Sequence, residues 1–334
     1  MVVSPVSLRT RLATIALFVT STLALVACGG GSPSTLDTHG SSAKDIAGTW
    51  WLMFGLAVFV YVVVAGFILV AVVRGRHGVR SSRITDNTFI WVGGIIVPAL
   101  ILIVLGVVTI DTGRALRQPS TNPLVVDVSA KQWWWAVTYP QQGVTTANEI
   151  HLPVGEPIEV RLTSDNVLHS FWVPQLAGKM DAIPGQVNTL RFTVEKAGTY
   201  LGLCGEFCGL QHANMHFQVV AQSPGDFSAW ATQQAQPEGD PSSDLQEQGE
   251  VVFLRSSCAG CHTVRGTPAM GTRGPDLTHL AARHTLGAVT IENTEPNLRR
   301  WIADAGSIKP GVSMPPGLLT QQELEAVIAY LERT

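Results

Sequence analysis

The sequence predicts a multidomain chain: a two-helix transmembrane hairpin, an all-β Greek-key domain and a small all-α domain. Three observations carry this expectation. Two apolar runs without a charge, 50–73 and 89–110, are each long enough to cross a bilayer. From about residue 120 to 222, short β-rich segments alternate with turn signals. Past residue 245 the apolar spacing becomes helical, and Thr320-Gln321-Gln322-Glu323 is a capping box. A chain of 334 residues has room for two or three domains. Only 14% of its residues are charged, against a usual ~25%, which suits membrane segments. A net charge of −3 argues against nucleic acid as a partner.

The elements follow in order. Arg9 and Arg11 precede an apolar stretch, 12–26, that reads as a signal peptide and is too short to span comfortably. It ends in Leu25-Val26-Ala27-Cys28, small residues before a cysteine as in bacterial lipoproteins, so cleavage before Cys28 and acylation of its thiol are expected. The expected division is 1–27 signal peptide of lipoprotein type, 28–47 extracytoplasmic segment, 48–112 hairpin, 118–222 β domain, 223–244 linker and 245–334 helical domain. Trp50, Trp51 and Trp91 sit where interfacial anchors belong. Arg74, Arg76, His77, Arg80 and Arg83 make the loop between the spans cytoplasmic by the positive-inside rule. The N-terminus and both C-terminal domains are then expected on the outer face of a bacterial cell membrane. Strands are expected near 124–128, 149–152, 158–162, 190–194, 199–203 and 216–220. The stretch 222–246 is rich in Gln, Pro, Ser and acids and reads as a linker. Leu324, Val327, Ile328 and Leu331 share one face of a final helix.

The chemistry concentrates in two short motifs. The five cysteines fall as Cys28 alone and two close pairs, Cys204/Cys208 and Cys258/Cys261, which is not a disulfide framework. The run from Cys204 through Cys208 and His212 to Met215 gathers two thiols, an imidazole and a thioether. Soft sulfur with imidazole selects copper. Two thiolates can bridge two copper ions, each also holding a His and a weak ligand. The second His has an obvious donor in Leu168-His169-Ser170-Phe171-Trp172. Taken alone, the cysteine pair leaves a disulfide or a tetrahedral zinc site with His169 and His212 open. Met215 and the downstream redox motif favour copper. That second motif is Cys258-Ala259-Gly260-Cys261-His262. Its thiols can add to the two vinyl groups of haem and His262 can ligate the iron. A zinc ribbon wants a second cysteine pair and a redox dithiol wants a βαβ setting; neither is visible. The sixth iron ligand is expected to be Met314, ahead of Met270, which is too near His262 in sequence, and of His279 and His284.

The pattern Cys-x-Glu-x-Cys-x-x-x-His-x-x-Met resembles the CuA domain of subunit II of haem–copper cytochrome c oxidases. His169-Ser170-Phe171-Trp172, the run from Lys179 to Gly185 and Gln132-Trp133-Trp134-Trp135 extend the likeness over about residues 45–222. The resemblance implies a cupredoxin-like fold, with His169, Cys204, Cys208, His212, Met215 and the Glu206 carbonyl as copper ligands. It also implies electron entry at Trp133, and a magnesium ion held through the Glu206 carboxylate at an interface with subunit I. In that family the second span often begins with an acidic residue; Thr88-Phe89-Ile90-Trp91 offers none, and Asp86 is the nearest carboxylate. Residues 245–334 resemble a class I cytochrome c, with Gly274-Pro275-Asp276-Leu277 and Met314-Pro315 in place, which implies that the Pro275 carbonyl orients His262. The whole chain is thus similar to subunit II of a caa-type oxidase with a fused cytochrome c. The implied role is electron relay from cytochrome c through haem c and CuA to the haem–copper site of subunit I, where O2 is reduced to water with proton translocation. Implied partners are subunit I, other oxidase subunits, a soluble or membrane cytochrome c donor and membrane lipid; no catalytic residue is expected in this chain. The alternatives are an electron-transfer subunit of a nitric or nitrous oxide reductase, a quinol-oxidising relative, which would lack the copper ligands, and a copper-binding lipoprotein, which would have no use for a fused haem.

Overall fold

The computed structural model describes residues 33–76 and 86–333. The expected signal peptide, Cys28, and the His77, Arg80 and Arg83 part of the basic loop lie outside the described residues. Helix α1 (Ser41–Arg76) is followed by helix α2 (Asp86–Phe89), a π-helical stretch (Ile90–Ile96) and helix α3 (Val97–Ala115). Two runs, Ser41–Arg74 of 34 residues and Asn87–Ala115 of 29, are long and apolar enough to cross a membrane. They lie side by side. The Thr49 and Thr112 hydroxyls meet at 3.0 Å near one end, and the Phe67 and Phe89 rings pack edge to face, 6.1 Å apart, near the other. Their apolar side chains point away from the rest of the chain. The widened π turn has a local cause. Pro98 has no N–H to return to the carbonyl four residues back, and the Val97 N–H bonds Val92 O instead.

Helix α1 begins inside the segment expected to be extracytoplasmic, because its first turns pack on the β domain and not on lipid. Ser41 Oγ accepts from Thr193 N, Ser42 Oγ donates to Arg191 O, and Ala43 and Ala47 are buried.

The β domain contains β1 (Leu124–Lys131), β2 (Trp134–Tyr139), β3 (Val144–Ala147), β4 (Glu149–Pro153), β5 (Pro157–Ser164), β6 (His169–Trp172), β7 (Met180–Ala182), β8 (Asn188–Thr193), β9 (Gly198–Cys204) and β10 (His216–Gln222). They form two five-stranded sheets, in the orders β3-β2-β1-β5-β8 and β4-β10-β9-β6-β7. Each sheet holds one parallel pair, β1 with β5 and β10 with β4, among antiparallel neighbours. The crossing connections are those of a Greek-key sandwich. Alternate residues point inward, as the period of a strand requires: Trp135, Val137 and Tyr139 on β2 and Phe217 and Val219 on β10 are fully buried. The Trp135 ring meets Phe171 and Phe217 edge-on, at 5.8 and 5.3 Å, and so packs the core directly beneath β6 and β9.

Part of the stretch expected as a linker is ordered. Helix α4 (Pro224–Ala235) opens on a Ser223 side chain that accepts from Asp226 N, with Pro224 in the first turn, a start signal that the polar composition masks. Trp230 on α4 packs against Tyr139 and stacks on His151 at 4.1 Å.

The last unit contains α5 (Asp244–Arg255), α6 (Cys258–Cys261), a two-residue ribbon of β11 (Thr285–Leu286) and β12 (Ile291–Glu292), α7 (Glu295–Ile308) and α8 (Gln321–Leu331). Val252 and Phe253 from α5, Leu298 and Ile302 from α7, and Val327, Ile328 and Leu331 from α8 form its core. The capping box read from the sequence is present: Thr320 Oγ1 accepts from Glu323 N while the Glu323 carboxylate accepts from Thr320 N. Replacing Thr320 by Ala should destabilise this unit by about 1 kcal/mol, read as a lowered unfolding temperature in calorimetry of the full chain.

Candidate metal and haem sites

The loop between β9 and β10 carries Cys204, Glu206, Cys208, His212 and Met215. Its two ends are tied together and to β6. Cys204 N donates to Met215 O, Gly205 N donates to Ser170 O, and Phe171 pairs with Cys204 in register. Strand β6 begins at His169, so the sandwich brings a residue 35 positions upstream to the loop. The side chains converge. Cys204 Sγ lies 3.7 Å from Cys208 Sγ, 3.8 Å from His169 Nδ1 and 3.2 Å from Glu206 O. Cys208 Sγ lies 3.7 Å from His212 Nδ1 and 3.8 Å from Met215 Sδ. Each thiol thus has its own imidazole and its own weak donor. The thiols are not joined in a disulfide.

Burial and orientation favour metal over solvent. His169 and Met215 are fully buried, and both cysteines are buried. His169 Nε2 lies 3.0 Å from Asn166 Oδ1; the amide oxygen can only accept, so the proton sits on Nε2 and Nδ1 presents its lone pair to the thiols. The two thiols share one negative charge. A hydrogen bond from Cys208, working against burial, pulls the Cys204 thiol well below its ordinary value, and the same pairing, reinforced by burial, raises the Cys208 thiol. A buried site that holds one thiolate cheaply and a second only with difficulty calls for cations between them. Two soft thiols, two imidazoles, a thioether and a carbonyl match a pair of copper ions.

Trp133 lies over this loop. Its Nε1 and the Gln132 Nε2 both donate to Cys208 O, at 3.0 and 2.8 Å. The Glu206 carboxylate pairs with Lys179. Phe207 is 79% exposed, leaving an apolar side chain on the rim of the site.

The second site is built on the tight turn α6. Cys258 and Cys261 are unpaired and partly exposed. The segment after it wraps close: Gly274 N donates to Cys261 O at 2.7 Å and Leu277 N to Thr263 O at 2.8 Å. A Cβ at Gly274 would stand 2.4 Å from the His262 ring, so only glycine leaves room for it. His262 Nδ1 lies 2.8 Å from Pro275 O. The carbonyl can only accept, so Nε2 carries the free lone pair, as an iron ligand needs; burial also lowers the His262 pKa and favours the neutral ring. These residues suit a covalently attached haem. Two rivals for the sixth position are otherwise engaged: His279 Nε2 faces Gln236 O and His284 Nδ1 faces Glu149; Met270 is 79% exposed and its backbone pairs with Thr263, beside His262. Met314 lies half-buried in the loop between α7 and α8.

Sequence reasoning missed the contacts that join the two units. Lys309 is buried, and its Nζ donates to carbonyls on both. Burial draws its pKa down to about 7, opposed by the electrostatic pull of the nearby thiol pair. Glu149 at the start of β4 accepts from His284 N and faces the imidazoles of His151 and His284, each at 2.9 Å. In sequence, Lys309 before Pro310-Gly311 has the look of a solvated loop residue, and Glu149 that of an edge-strand carboxylate; neither has a local signal.

Burial pushes the Glu149 pKa up, but hydrogen bonds from His151 and His284 outweigh it and hold the carboxyl at about 2. A depressed carboxyl stabilises the fold fully above its unfolded value and loses that contribution as pH falls through the folded one. The contribution is on the order of 3 kcal/mol. Glu149→Gln should therefore flatten the decline in the urea midpoint between pH 4.5 and 2 while leaving the remaining acid sensitivity in place.

Comparison with known proteins agrees with both units. A family profile described as "Cytochrome C oxidase subunit II, periplasmic domain" matches residues 142–223, and one described as "Cytochrome c" matches residues 246–334. The chain is 34% identical to cytochrome c oxidase subunit 2 of Alkalihalophilus pseudofirmus over 93% of each chain. It is 29% identical to cytochrome c oxidase subunit 2 of Bacillus subtilis, over 93% of this chain and 94% of that one. A crystal structure of the periplasmic domain of subunit II of cytochrome oxidase from Bradyrhizobium japonicum is 30% identical and covers 35% of this chain and 95% of that one, with a TM-score of 0.34.

Proposed function

This chain belongs to the cytochrome c oxidase subunit II family, in the form with a fused cytochrome c domain, and we propose that it is the electron-entry subunit of a caa-type oxidase. It is a membrane-anchored electron-transfer component of a haem–copper oxidoreductase complex. In our reading it accepts electrons from a cytochrome c donor and delivers them to subunit I, where O2 is reduced to water with proton translocation. His169, Cys204, Cys208, His212, Met215 and the Glu206 carbonyl would hold a dinuclear copper centre. Cys258, Cys261, His262 and Met314 would hold haem c. When bound, these groups supply one-electron redox change without breaking a bond.

The protein's own work is positioning. The sandwich fixes six donors on strand ends and one anchored loop, so they need not rearrange when charge moves. Trp135 packs against His169 at 6.0 Å and Asn166 sets its tautomer. Pro275 sets the tautomer of His262. Trp133 is the electron-entry residue in this reading. A magnesium ion at an interface with subunit I would be taken by Glu206, and Lys179 now neutralises that carboxylate. We also retain the division into hairpin, copper domain, linker and cytochrome domain, a lipid on Cys28, and both soluble domains on the outer face of a bacterial membrane.

One observation carries the proposal. Trp133 donates to the Cys208 carbonyl while its ring packs on Gly311, three residues before Met314. The entry residue of this reading therefore touches this chain's own cytochrome unit, and in our reading an external donor passes its electron through that unit. Replacing Cys258 and Cys261 together by Ala should abolish the covalent porphyrin and slow turnover with soluble cytochrome c, with the mixed-valence copper resonance retained. Full turnover without the porphyrin would refute the route. Cys204→Ser should remove the two-copper resonance and leave the haem spectrum intact, checked by electron paramagnetic resonance and visible absorption on one preparation.

A further inference from the structure

Lys309 is the first residue after α7 and stands at the foot of the loop that carries Met314. It is 1% exposed. Its Nζ donates to Gly287 O at 2.7 Å, Asn214 O at 2.8 Å and Trp133 O at 3.0 Å. An ammonium has three N–H donors and no acceptor, and three carbonyls here take all three. A neutral amine would leave one carbonyl without a proton, so the cup is built for the cation. The carbonyls come from different places. Trp133 lies just before β2, Asn214 is the neighbour of the copper-site residue Met215, and Gly287 follows β11 in the cytochrome unit.

The surrounding seam is close-fitting. Gln211 Nε2 donates to Pro310 O at 2.8 Å. Gly311 has φ +85°, where glycine is favoured. A Cβ at Gly311 would come within 3.0 Å of Leu210 Cδ2 and 3.5 Å of the Trp133 ring. Gly311 therefore lies against the copper-site loop with no side chain of its own between them.

We propose that Lys309 is the positioning residue that pins the Met314 loop to the copper-ligand loop, so that the two redox sites hold one fixed separation. This rests on the functional reading above for what the two sites hold. Electron tunnelling weakens steeply with distance, so a pinned seam sets the transfer rate between the sites, where a bare tether would leave it to collision. Lys309 touches neither cofactor position and holds the two loops through the backbone it ties together.

The test is Lys309→Met in the full chain. Methionine fills much of the volume and leaves three buried carbonyls without a donor. Amides of 208–215 and 309–313 should exchange with deuterium at least about tenfold faster. Electron transfer from haem to copper should slow by about tenfold or more beyond what any change in driving force accounts for, while the copper resonance and the haem spectrum stay as in the wild type. Unchanged exchange and an unchanged transfer rate would overturn the pin. So would a slowed rate explained by a shifted potential or a lost copper resonance, since that places Lys309 in local support of one site. If the Met variant does not accumulate, Gln211→Ala must loosen the same two segments to a smaller degree, and no change there overturns the proposal. A wild-type chain lacking haem or copper would instead refute the functional reading, and the exchange measurement, which needs no cofactor, would still judge the pin.

Discussion

Two buried thiols held 3.7 Å apart without a bond between them set the terms for the structure around them. Side by side in a protein interior, both cannot ionise unless positive charge lies between them. The fold therefore has to present the pair in a frame that neither collapses into a disulfide nor opens to water. The frame is a loop clamped at its base by Cys204 N to Met215 O and Gly205 N to Ser170 O. Strand β6 delivers His169 from the side, and the Trp135–Phe171–Phe217 cluster fills the space beneath. Each contact restricts a ligand's motion, and a site with little freedom has little to reorganise when charge passes through it.

The second unit shares that frame instead of hanging from it. Lys309, Gln211 and Gly311 close one seam against the Cys204–Met215 loop, and Glu149 with His284 closes another. The segment between the units is also fastened: Trp230 on α4 stacks on His151, and Arg265 donates to the Gln234 and Ala235 carbonyls. A tether would raise the local concentration of one unit near the other. A docked interface goes further by removing the search, at the cost of burying a lysine and a carboxylate that must be fully hydrogen-bonded to be tolerated.

The sequence was most legible where chemistry is local. C-x-x-C-H and the Cys204–Met215 run are contiguous, so their donors could be named before any fold was known; His169 was found only because the copper chemistry demanded a second imidazole. The capping box at Thr320 and the strands expected near 190–194 and 199–203 are local too, and all are present. Three features were not legible. Helix α4 hid in a polar stretch because its stability comes from Phe227 and Trp230 packing on Tyr139, a contact across more than eighty residues of chain. Helix α1 starts before its apolar run because Ser41 and Ser42 bond to the edge of β8. Lys309 carries no pattern of its own, since its three acceptors are backbone carbonyls, which any sequence supplies.

X-ray absorption at the copper edge tests the central claim most directly, on the full chain purified apart from its partner subunits. We predict sulfur and nitrogen scatterers together with a copper–copper vector, at two copper ions per chain. A single zinc ion in their place, or copper-free protein with Cys204 and Cys208 oxidised to a disulfide, would contradict it.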